Sequence, residues 1–215
     1  MNLKAAFIIL SVAVFAAITP AWGQGAGGGS GSTNPAMLLR RDDVRGDLQI
    51  TDDQKSKLYD LEQGLRQRFT EAMRTAGEDA ETRRKAFENI GKKIVEEVNQ
   101  ILTAGQRTRL REIAIQVNGF SAASQPDVQK DLGLTEAQKA KIADLMSRMQ
   151  KATRDAWQKV QAGEIQYTDV QEVMKKNQKI LNDEIGKILT QPQKDKFKTL
   201  AGKTFVPAPE SGSGG

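Results

Sequence analysis

Apolar residues recur at helical spacing through most of the chain. From Asp52 onward, Leu58, Leu61, Leu65, Phe69, Ala72 and Met73 form one stripe that runs to about Ala76. This three-to-four-residue rhythm predicts an amphipathic helix. A break at Gly77-Glu78-Asp79 follows, then a second helix over 80–102 carrying Phe87, Ile90, Ile94, Val98 and Ile101 on one side. Thr103 re-initiates a short helix that ends near Asn118–Gly119, where glycine is a suitable stop. The second half repeats the pattern with Ile142, Leu145, Met146, Met149, Thr153, Ala156, Trp157 and Val160. Breaks near Gly163 and Gln166–Asp169 lead to Val170, Val173, Met174, Ile180, Ile185 and Ile188, and then to a restart at Thr190. A short helix precedes each long one, at "DVRGDL" and "DVQKDL". No stretch alternates with period two, so no strand is expected.

The halves are copies of each other. "DVRGDLQITDDQKSKLYDL" from Asp43 matches "DVQKDLGLTEAQKAKIADL" from Asp127, and "ILTAGQRTRL" from Ile101 matches "ILTQPQKDKF" from Ile188. One motif therefore occurs four times, each time at a helix start. Its Thr is an N-cap whose hydroxyl accepts from the backbone N–H three residues on. The Gln at that position reaches back to the Thr amide, completing a capping box. The pairs are Thr51/Gln54, Thr103/Gln106, Thr135/Gln138 and Thr190/Gln193. Seven and ten residues after each Thr the side chain is apolar: Leu58 and Leu61, Leu110 and Ile113, Ile142 and Leu145, Phe197 and Leu200. The Thr and Gln side chains satisfy backbone groups, so their role is structural.

The ends read differently. Residues 1–23, with Lys4, an apolar run from Ala5 to Ile18, Pro20 and small Ala21 and Gly23, have the form of a cleaved signal peptide. The run is shorter than the ~20 residues that span a bilayer, so no stable membrane insertion is expected after cleavage. Export is the consequence. Residues 24–34 form a Gly/Ser linker and 206–215 a disordered tail. Between them the expected fold is all-α: two tandem long helical-hairpin units, 35–119 and 120–205, with short flanking helices. The two units can pair within one chain as an intramolecular pseudo-dimer, or between chains as a homodimer.

Composition narrows the chemistry. There is no His and no Cys, which closes off thiol and Ser-His nucleophiles and the usual zinc and copper sites. No cofactor and no metal are expected. Asp52–Asp53 sit in a first helical turn, which favours negative charge. Glu96–Glu97 read as a solvated face, and no carboxylate pair has the setting of a general acid and base. The chain is therefore not expected to be an enzyme. With 38% hydrophobic and 27% charged residues, the core must be thin, and two-layer helical units leave apolar surface for a partner. A net charge of +5 steers toward acidic partners without selecting one, and nucleic acid is not expected for an exported protein. The candidate client-binding surface is Phe69, Met73, Arg66, Arg74, Met146, Met149, Arg154, Trp157 and Met174, where flexible methionines lie among arginines.

"LTAGQ", "LTEAQ" and "LTQPQ", with "ITDDQ" as an Ile variant, resemble the LTxxQ motif of the Spy/CpxP family of bacterial periplasmic proteins. Leu132 to Leu200 resembles one complete family unit and Leu48 to Ile113 a second. The resemblance implies a cradle of long curved helices and a periplasmic location. It also implies either of two roles in envelope stress. One is an ATP-independent chaperone that binds unfolded or partly folded envelope proteins on a basic, apolar surface. The other is a regulatory adaptor that binds a sensor-kinase domain. Two units in one chain depart from the family's antiparallel dimer, and the lack of His and Cys departs from its metal-responsive members.

Overall fold

The computed structural model describes residues 35–77 and 79–207. The signal-peptide and linker expectations (1–23 and 24–34) and most of the expected tail lie outside the described residues. Among those described, the regular elements are all helical, without a strand. In chain order they are α1 (Pro35–Leu38), α2 (Asp42–Asp47), α3 (Asp52–Ala76), α4 (Ala80–Ile101) and α5 (Ala104–Asn118). A 3-10 segment over Gly119–Ser124 follows, then α6 (Pro126–Leu132), α7 (Glu136–Gln161), α8 (Tyr167–Ile188) and α9 (Gln191–Ala201).

The repeated motif opens α3, α5, α7 and α9. In the first copy Gln54 N–H donates to Thr51 Oγ1 at 3.2 Å, and Thr51 N–H donates to Gln54 Oε1 at 3.1 Å. The second and third copies repeat both arms, and in the fourth Thr190 N–H donates to Gln193 Oε1 at 2.9 Å. Asp79, which is not part of the motif, caps α4 by accepting from Thr82 N–H at 2.7 Å. Each cap satisfies donors that the first helical turn leaves free.

The same glutamines also join distant parts of the chain. Gln54 Nε2 donates to Gln106 Oε1 at 2.7 Å, and Gln106 Nε2 donates back to Gln54 Oε1 at 3.0 Å. Gln138 and Gln193 make the matching reciprocal pair at 2.8 and 3.1 Å. Gln54 and Gln138 also donate to the final helical carbonyls of α4 and α8, Ile101 O at 2.8 Å and Ile188 O at 3.0 Å. One side chain thus starts one helix, ends another and holds their two motifs together.

Two apolar cores result. The first gathers Leu58 and Phe69 of α3, Ile90, Ile94 and Val98 of α4, and Leu110, Ile113 and Ala114 of α5, with Leu38, Leu39 and Val44. Here α3 lies along α4, the rings of Phe69 and Phe87 are 5.6 Å apart, and Arg68 Nη1 meets Glu97 Oε1 at 2.7 Å. Glu97 is consequently half-buried and paired, which corrects its reading as solvated face; Glu96 is exposed. The second core gathers Ile142, Leu145 and Met146 of α7 and Leu181 and Ile185 of α8, with Ile115, Val128, Leu132 and Phe197.

The halves differ inside. Thr153 and Asn177, both buried, occupy the interior of the α7/α8 pair, where Asn177 Nδ2 donates to Thr153 Oγ1 at 3.0 Å and to Met149 O at 3.2 Å. At the corresponding repeat positions the first half has Phe69 and Ile90. Helix α5 supplies both cores: Ile113 and Ala114 face the first, and Ile115 faces the second. The 3-10 segment packs on α5, α7 and α8, and its Phe120 lies 5.0 Å from the Phe197 ring. A left-handed backbone at Gly119 (φ +57) makes the turn into it. A Cβ there would meet Asn182 Oδ1 at 2.4 Å, so the position requires glycine.

Candidate client-binding surface

The nine residues expected to form a client surface divide among three helices. Arg66, Phe69, Met73 and Arg74 are on α3, Met146, Met149, Arg154 and Trp157 on α7, and Met174 on α8. Phe69 and Met146 are not surface residues: they are 5% and 9% exposed, each inside its own core. Periodicity already puts both on the apolar stripes of α3 and α7, and these stripes face the cores, which removes them from the client surface. Met149 and Trp157 are half-buried, whereas Met73, Met174, Arg66, Arg74 and Arg154 are exposed.

A line of side chains runs along α3. Tyr59, Arg66 and Met73 are spaced by seven residues, so each lies within about 20° of the next around the helix. All three are exposed. Arg74, one residue and about 100° further round, lies off this line. On the other pair, Met174 and Ile180 of α8 remain exposed at 36% and 43%. Near the α7/α8 turn Trp157 packs against exposed Tyr167, with ring centroids 5.5 Å apart. Sequence reading missed Tyr59, Tyr167 and Ile180. Tyr59 carried a signal, being one heptad before Arg66 and two before Met73.

Between α3 and α4 lies a groove of about 370 Å³ with Ala72, Ala86 and Ile90 as its apolar lining. Arg68, Lys93, Glu71 and Glu97 complete its lining. Its lining thus carries both signs of charge. Among the described residues no group of three or more His, Cys, Asp or Glu could hold a metal ion. No described helix is long and apolar enough to cross a membrane. At the start of α3, Asp52 has its carboxyl held below the ordinary range by a hydrogen bond from Lys55 Nζ at 2.9 Å. It is an exposed helix-start charge.

A charged network holds the region where the halves meet. Arg109 of α5 makes a bidentate contact to Asp47, Nε to Oδ1 at 2.6 Å and Nη2 to Oδ2 at 3.0 Å, and a third bond to Glu112 Oε2 at 2.8 Å. Arg111 pairs with Asp127 and Asp131 of the second half. The bonded Arg109 guanidinium holds the Asp47 carboxyl below its usual 3.8, against a smaller opposing effect of burial, and the Lys203 charge adds to the lowering. A depressed carboxylate stabilises the fold above its unfolded pKa, and that contribution is lost as pH falls through the folded value. Asp47→Asn is therefore expected to lower stability at pH 7 and to flatten the decline below about pH 4. Urea midpoints from pH 7 to 2 for the two chains check this; parallel curves would contradict it.

No family model matches the chain, and no curated protein or solved structure matches it either.

Proposed function

We propose that the chain is an exported, ATP-independent holdase of the Spy/CpxP-like kind. Its two tandem helical-hairpin units stand as an intramolecular pseudo-dimer that shields unfolded envelope polypeptides in the periplasm. The reading rests on one observation. Tyr59, Met73, Tyr167, Met174 and Ile180 stay exposed on α3 and α8, helices that also expose cations such as Arg66 and Lys175, and neither core includes them. Basic groups speed the capture of acidic segments, and apolar contact retains them.

The test is light scattering from a heated or reduced client protein with residues 24–215 at comparable concentration. The chain is expected to suppress aggregation, with slower capture as salt rises toward 1 M. The triple variant Met73→Ser, Met174→Ser, Ile180→Ser should lose most of the suppression. Its stability should stay within about 0.5 kcal/mol per site, since all three side chains are exposed. Unchanged client aggregation with the parent chain would remove the holdase reading. A single saturable partner captured from envelope extract would then favour the adaptor role.

A further inference from the structure

After Ala201 the chain does not run off into solvent. It turns at Gly202, with φ +63, and passes back onto the first half. Gln116 Nε2 donates to Ala201 O at 2.5 Å and to Lys203 O at 2.8 Å, while Gln116 Oε1 accepts from Phe205 N–H at 2.8 Å. Arg109 Nη1 donates to Lys203 O at 2.6 Å. Phe205 is 7% exposed and joins the first core, with the Arg41 guanidinium 5.6 Å from its ring centre. Thr204 and Val206 on either side are exposed.

We propose that the first half carries a binding slot for a peptide of the form Gly-x-x-Phe, occupied in cis by residues 202–205. The hydrogen bonds from Gln116 and Arg109 go to main-chain atoms, so they read the path of the backbone rather than particular side chains. Selectivity comes from two places. Phe205 is the apolar anchor. At Gly202 a Cβ would come within 2.2 Å of the Glu112 carboxyl carbon, and Glu112 is tied to Arg109, so the first position admits glycine. Joined by a short turn, the tail has an effective concentration of order mM, enough to exclude a weak free peptide. Its seat also ties the end of the second half to the core of the first.

The experiment uses the full chain and the capped peptide acetyl-Ala-Gly-Lys-Thr-Phe-Val-amide, titrated to mM while the amide resonances of Arg41, Arg109 and Gln116 are followed. Phe205→Ala should bind it with an apparent Kd about tenfold or more below that of the parent chain, because the cis competitor is weakened. The same peptide with Ala in place of Phe should leave these resonances unmoved. Equal response from the parent and Phe205→Ala chains, or equal binding of the Ala peptide, overturns the slot. A second variant does not depend on how well Phe205→Ala folds. In Gln116→Ala the Phe205 amide should lose its protection from hydrogen exchange, and retained protection likewise overturns the proposal.

Discussion

Gln54→Ala is expected to destabilise the chain by about 2–4 kcal/mol, far more than an ordinary helix-start glutamine. The side chain is buried and makes several separate contacts. It completes the Thr51 capping box, bonds reciprocally with Gln106, and donates to Ile101 O at the end of α4. Losing the hydrogen bond to the Thr51 amide costs about 1 kcal/mol. The part-buried Ile101 carbonyl and Gln106 amide left without their partner add about 1–3 kcal/mol together. Gln106→Ala should cost less, since Gln106 is itself only half-buried. The double variant should fall short of the sum of the singles by about 1 kcal/mol, the signature of a direct pair. Urea unfolding of the four chains measures this cycle, and strict additivity would show that the two amides do not act together.

The second large effect is expected at Ile113, which is 0% exposed. Ile113→Ala removes three methyl or methylene carbons from the centre of the first core and should cost about 2–5 kcal/mol. Its reach should extend further, because Ile115 on the same helix supplies the second core. In residues 24–215 Trp157 is the sole Trp and reports on the second half. Its fluorescence should shift to lower denaturant together with the far-UV CD signal, as one transition. A Trp157 transition that stays in place would mean that the halves unfold separately and that α5 does not couple them.

Much of the local architecture was legible in the residues. A capping box acts over three residues and helix periodicity over seven, so Thr51/Gln54 and its three counterparts mark helix starts without knowledge of the neighbours. The stripes Ile90–Ile94–Val98 and Ile142–Leu145 likewise face their cores. The candidate surface was less legible. Periodicity gives the direction in which a side chain points from its helix axis but not how far the adjoining helix overlaps it. Phe69 and Met146, named for the client surface, are therefore interior, while Met73 and Met174 are exposed.

By itself, then, the sequence determined an all-helical, duplicated chain and the places where its helices begin, because these depend on hydrogen bonds and spacings within one or two turns. Only the tertiary structure decided that Gln54 meets Gln106 and Gln138 meets Gln193. It alone placed Thr153 beside Asn177 and carried Phe205 back into the first core. Those contacts join residues dozens of positions apart. Their distances follow from how whole helices pack, and no local pattern encodes that.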